Sequence, residues 1–130
     1  MSGPGSARIR LVWPGGEVTA NLRDTPSVAQ LLPALPLESR AQTWGEEVYF
    51  ELPLRIRLEA DAEQVVDPGT VCFWVEGSSL ALPYGRTPAS RGSESRLVSR
   101  CNVLGRIEGD PRRLQSIRPG DTVRVERIPV

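Results

Sequence analysis

Apolar and polar residues alternate along most of this chain, and two short stretches break the rhythm. From Arg8 to Trp13, Ile9, Leu11 and Trp13 fall on one side and Arg8 and Arg10 on the other, the period-2 pattern of a half-buried strand. Pro14-Gly15-Gly16 turns the chain into Glu17 to Leu22, where Val18, Ala20 and Leu22 repeat the pattern, so the two runs predict a hairpin. Ala41 to Leu52 predicts strand, glycine, strand: Val48, Phe50 and Leu52 alternate with Glu47, Tyr49 and Glu51, and Gly45 marks a bulge or tight bend. Leu54 to Leu58 predicts a further strand with Arg55 and Arg57 outward. Asp67-Pro68-Gly69 predicts a turn before a strand over Thr70 to Val75, with Leu80 to Tyr84 as its partner. Leu97 to Ile107 and Thr122 to Ile128 supply the last strands.

The two interruptions are helical. Asp24-Thr25-Pro26-Ser27 sets a capping side chain ahead of a proline suited to the first helical position, and Val28, Leu31, Leu32 and Leu35 follow at helical spacing. Pro33 and Pro36 limit that helix, because an interior proline removes a hydrogen bond and clashes with the preceding turn. Asp110-Pro111 starts a second short helix with Leu114 and Ile117 on its apolar side, stopped by Pro119-Gly120-Asp121. Arg86 to Arg96 has almost nothing to bury and predicts a mobile loop. Many strands and few helices predict a mainly β fold closed into an antiparallel barrel, an arrangement that removes exposed sheet edges.

Length and charge narrow the picture. The 130 residues suit one domain, expected over residues 8–130 behind a disordered tail over residues 1–7. Sixteen basic residues, all of them arginine, balance sixteen acidic ones, so the positive field that would gather a phosphate backbone is missing and nucleic acid is not an expected partner. No stretch reaches the roughly 20 apolar residues of a membrane span, so no membrane partner is expected and a cytoplasmic location follows.

The absence of histidine removes Ser-His-Asp, Cys-His and His-metal schemes together. Cys72 and Cys101 are too few for a disulfide framework or a thiolate metal site, and each lies in an apolar run, so both are expected as buried free thiols. Adjacent Glu46 and Glu47 point to opposite faces of a strand and cannot form a facing carboxylate pair. Glu46 is expected to accept bonds from turn amides and Glu47 to be solvated. No catalytic residue, metal site or cofactor is assigned.

Several motifs then carry a resemblance. Val103-Leu104-Gly105-Arg106-Ile107-Glu108-Gly109 followed by a helix is similar to a stretch of cyclophilins, and Pro68-Gly69-Thr70-Val71 looks like a strand opening in the same proteins. Thr43-Trp44-Gly45-Glu46-Glu47-Val48-Tyr49-Phe50 and Tyr84-Gly85-Arg86-Thr87-Pro88, in this order, resemble a family of small prokaryotic cyclophilin-like proteins of unassigned function, with the likeness running from about Arg8 to Ile128. The resemblance implies a closed eight-stranded antiparallel barrel with two short helices.

Cyclophilins isomerise prolyl peptide bonds with an arginine beside a histidine. Here Tyr49, Phe50 and Glu51 stand near the arginine position, Cys101 stands near the histidine position, and the Gln-Gly-Gly run of those proteins is missing. The groove used by cyclophilins would be lined here by Tyr49, Trp74, Glu76, Leu82, Tyr84 and Cys101. The expected function is a module that binds a peptide or a small-molecule ligand without the normal isomerase residues. The alternatives are a weak or divergent peptidyl-prolyl isomerase using a repositioned arginine, Arg55 or Arg57 with a shifted register, and an assembly role of the kind such barrels play within larger proteins.

Overall fold

The structure, a computed structural model, describes residues 7–129. In chain order the strands are β1 (Ala7–Trp13), β2 (Gly16–Leu22), β3 (Leu37–Arg40), β4 (Gln42–Thr43), β5 (Glu47–Glu51), β6 (Glu63–Val66), β7 (Thr70–Trp74), β8 (Ser79–Pro83), β9 (Ser95–Ile107) and β10 (Thr122–Arg127). Between β2 and β3 lies α1 (Pro26–Leu31), which tightens into a 3-10 turn over Leu32–Ala34, and a 3-10 helix over Pro111–Ser116 precedes β10. Both helical starts are built as their sequences imply. The Val28 amide donates to Thr25 Oγ1 at 3.1 Å, the Arg112 amide donates to Asp110 Oδ1 at 2.9 Å, and a proline occupies the first turn of each. Of the tail expected over residues 1–7, the first six lie outside the described residues, whereas Ala7 is buried and opens β1.

Antiparallel pairing links the strands in the order β3-β10-β1-β2-β9-β7-β8-β5-β4. The ends of this path are covalently joined, because β3 and β4 are halves of one extended segment interrupted at Ala41: Leu37–Arg40 pairs with β10 and Gln42–Thr43 with β5. The result is a nearly closed barrel of nine strands, which becomes the expected eight when residues 37–43 are counted once. Alternation places Ile9, Leu11, Phe50, Phe73, Leu82 and Leu104 inside, all essentially inaccessible to water. At Gly105 the close approach of β9 to β2 requires glycine, since a Cβ there would lie 1.9 Å from the Asn21 carbonyl oxygen.

Two departures from the sequence pattern shape the outer surface. Leu54–Leu58 is not a strand. Its backbone is bonded by side chains instead, with Gln30 Nε2 donating to the Arg55 carbonyl at 3.1 Å and Asn102 Nδ2 to the Arg57 carbonyl at 2.8 Å. Conversely, β6 lies in a stretch with no clear alternation and pairs with the first half of β9, off the barrel path. β9 serves both layers: residues near Gly105 to Ile107 pair with β2 and β7 in the barrel wall, and residues near Ser95 to Cys101 peel away to meet β6. A register shift between Val71 and Cys72 along the β7–β9 pairing marks the bend.

The loop expected to be mobile, Arg86 to Arg96, is cross-braced. Ser90 Oγ donates to the Glu94 carbonyl at 2.6 Å, Ser95 Oγ donates to the Gly85 carbonyl at 2.6 Å, and the Thr87 hydroxyl donates to the Arg96 carbonyl. Its serines and threonine supply the bonds that apolar packing would otherwise provide. Among the described residues no helix is long and apolar enough to cross a membrane.

Candidate functional site

Peeling β9 away from the wall builds a second, smaller apolar cluster on the outer face of β5, β7 and β8. Val66, Cys72, Ala81, Leu97 and Cys101 are buried there, with Tyr49, Trp74 and Val103 packed against them. Strand alternation explains the membership: Val48 and Phe50 face the barrel interior, so Glu47 and Tyr49 face outward, under the cover of β9.

The cover is incomplete and leaves a pocket of about 130 Å³, lined by Trp44, Glu47, Tyr49, Trp74, Ala81, Leu97, Val98 and Cys101. Its walls are mostly apolar. Tyr49 and Trp74 meet edge to face, with centroids 6.0 Å apart and planes at 89°. The same two rings also border a second groove of about 520 Å³, which continues past Ser39, Arg40, Gln42 and Glu51. Trp44 reaches the pocket from the tight β4–β5 turn, whose backbone is fixed by Gly45 at φ +60° and by the Trp44 amide donating to the Glu47 carbonyl at 2.9 Å.

Glu47 corrects the sequence reading, which expected it to be solvated. It is only 6% exposed, and its Oε1 is buried without a hydrogen-bond partner. Burial pushes its carboxyl up to about 7, so both protonation states are populated at neutral pH. The neighbouring thiols feel the same environment. Burial first, and the acids Glu47 and Glu76 second, push Cys101 up to about 12, and burial with nearby Cys101, Glu47 and Glu63 raises Cys72 well above its usual range. Glu46, on the opposite face, behaves as expected: it accepts from the Arg86 amide at 3.0 Å and from Arg112 Nη2 at 3.0 Å.

Of the six residues predicted to line a groove, Tyr49, Trp74 and Cys101 come together here. Leu82 and Tyr84 do not, because both pack into the barrel interior, and Glu76 stands exposed on the β7–β8 turn. Sequence reasoning passed over Trp44, Glu47, Leu97 and Val98. For Glu47 the only available signal was its outward parity with Tyr49 on β5; the covering layer that buries it is a product of β6 and β9.

Other concavities are less suited to a site. A larger one, about 820 Å³, runs between β2, β6 and β9, but its cations are already engaged: Arg23 with Asp61 at 3.0 Å and Arg106 with Asp67 at 3.5 Å. Arg55 and Arg57, the candidates for a repositioned catalytic arginine, line a separate groove beside α1. Among the described residues no arginine lines the aromatic pocket itself. Among the described residues no three His, Cys, Asp or Glu side chains gather to hold a metal ion.

Comparison with known proteins agrees with this architecture. No curated protein matches the chain. A hypothetical protein of Archaeoglobus fulgidus, its structure determined in solution, superposes with a TM-score of 0.83 at 32% sequence identity, over 95% of this chain and 96% of that one. The profile of the Cyclophilin-like family matches residues 7–126, from the first strand of the barrel to the last. With barrel, outer layer and profile in agreement over that span, the chain belongs to the Cyclophilin-like family.

Proposed function

We propose that this protein is a binding module and that the Glu47 pocket is where it takes hold of a peptide. The observation that carries the reading is the buried Glu47 carboxyl, with an unpartnered oxygen, in the wall of an aromatic pocket. Leaving a polar group buried without a partner costs roughly 1–3 kcal/mol, so a protein that keeps one beside an opening is supported as one whose ligand supplies the partner.

Size favours a side chain over a whole metabolite. Pockets that enclose drug-sized ligands hold about 300–1,000 Å³, whereas an apolar cavity of roughly 150 Å³ accommodates benzene. At about 130 Å³ the pocket matches one side chain, while the adjoining groove with Arg40 and Gln42 offers donors to the carbonyls of a flanking backbone. The test is a titration of the isotope-labelled protein with N-acetyl amino-acid amides covering the twenty side chains. Saturable amide shifts at Leu97, Val98 and Cys101 are expected for a subset of the panel. Absence of shifts there with every amide ends the reading.

A divergent prolyl isomerase is the second reading, favoured by Arg40, which borders the groove shared by Tyr49 and Trp74. The barrier is about 18–20 kcal/mol, and lowering it requires a donor aimed at the prolyl nitrogen. A protease-coupled assay on a proline-containing tetrapeptide decides it: a rate equal to the uncatalysed one removes this reading.

A further inference from the structure

We infer that the group admitted by the Glu47 pocket is an organic cation, an alkylammonium or methylated ammonium of roughly benzene's bulk, held between the carboxyl and the faces of Trp44, Tyr49 and Trp74. The inference rests on the reading of this pocket as a binding site and names the chemistry of its occupant.

Three observations lead there. Aromatic residues supply three of the eight lining side chains, and because Tyr49 and Trp74 stand at 89° to one another they form two walls of a corner. Ring faces carry negative potential and attract a desolvated cation within about 6 Å. Next, Glu47 has the one acidic side chain of the lining, with a buried oxygen that no donor reaches. An apolar or anionic occupant would leave that group unsatisfied or repelled, whereas an ammonium meets it with charge, and with N–H donors where it is not fully methylated.

The third observation is the field around the pocket. The charged groups that act on the two buried thiols of the cluster are acidic: Glu47 from β5, Glu63 from β6, and Glu76 from the β7–β8 turn. The remaining titratable side chains packed there are the thiols Cys72 on β7 and Cys101 on β9, both held neutral, and the Tyr49 phenol on β5. Arginines that could have neutralised the site are committed elsewhere: Arg96 pairs with Glu94 at 3.1 Å, Arg100 donates to the Ala62 carbonyl at 3.2 Å, and Arg40, in the adjoining groove, donates to the Gly120 carbonyl at 3.4 Å. The chain contains neither lysine nor histidine to take their place.

The test titrates the protein with n-butylammonium, tetramethylammonium, n-butanol and butyrate, followed by tryptophan emission and by the amide shifts of Leu97, Val98 and Cys101. The two cations are expected to bind saturably and the butyrate not at all. Because the competent state has Glu47 ionised, with its carboxyl near 7 in the free protein, cation binding should be about tenfold weaker at pH 6 than at pH 8. In Glu47→Gln it should fall at least tenfold and lose its pH dependence. If n-butanol binds as well as the cations with no pH dependence, the cation assignment is overturned while the binding reading stands. Should none of the four probes move these signals, the cation assignment is overturned, and the panel of amino-acid amides decides the binding reading separately. The wild-type pH profile decides the matter even if the variant folds poorly.

Discussion

Asn102 on β9 holds Ser27 at the start of α1, its Nδ2 donating to Ser27 Oγ at 2.9 Å across 75 residues of sequence. The same side chain, fully buried, donates to the Arg57 carbonyl at 2.8 Å and accepts from the Glu59 amide at 2.7 Å. It therefore fastens the helix and the irregular Leu54–Leu58 segment to the barrel wall. Asn102→Ala strands one donor and two acceptors, so a loss of about 2–4 kcal/mol is expected. Urea unfolding measures it; a loss below 0.5 kcal/mol, on the order of an exposed surface change, would contradict the fastening role.

Glu47 makes stability fall as pH rises. Its carboxyl titrates near 7 when folded and near the ordinary carboxylate value when unfolded, so between about 4.5 and 7 the native state binds the extra proton. That stabilisation is complete below 4.5 and gone above 7, and a displacement of this size is on the order of 3 kcal/mol. With no histidine in the chain, no imidazole titrates between pH 5 and 8 to mask this group. Urea midpoints should therefore drop from pH 5 to pH 8 in the wild type and stay nearly level in Glu47→Gln, which should be the more stable of the two at pH 8.

Gly77 leaves room for the Trp74 ring. A Cβ at residue 77 would lie 2.2 Å from Trp74 Cζ3 and 2.3 Å from Cε3, and a rigid indole cannot yield as a flexible chain end would. Gly77→Ala is expected to turn the indole away from Tyr49, altering the near-ultraviolet circular dichroism and weakening probe binding while the barrel persists. An unchanged aromatic spectrum would show that the ring is not wedged as described.

Both cysteines should resist modification. Cys101 is pushed up to about 12 and Cys72 well above its usual range, and both are buried, so little thiolate is present or reachable at pH 8. A disulfide reagent should label neither thiol in the native protein within minutes and both at once in denaturant. Rapid native labelling of either would mean that the β6–β9 layer opens readily.

Much of the barrel was legible because its evidence is local. A strand with one face in water must alternate, so Ile9, Leu11 and Trp13, then Val18, Ala20 and Leu22, announced β1 and β2 with their inward faces. Thr25-Pro26 and Asp110-Pro111 likewise announced two helix starts through caps that act within three residues. Leu54–Leu58 shows the limit of the same rule: its alternation is as good as that of a strand, but its backbone partners are Gln30 and Asn102, distant side chains that no local pattern reveals.

What the amino-acid order determined alone was most of the barrel strands with their inward side, the two capped starts and the lack of any histidine-based chemistry. Only the tertiary structure decided the site. Glu47 and Glu51 occupy the same outward parity on β5, yet one is buried beneath β9 and the other is exposed. That difference arises where a thirteen-residue strand leaves the wall to pair with β6, a long-range event that converts an ordinary surface carboxylate into a desolvated group without a partner. Burial by a second layer depends on which strand lies above, and a one-dimensional pattern carries parity but not cover.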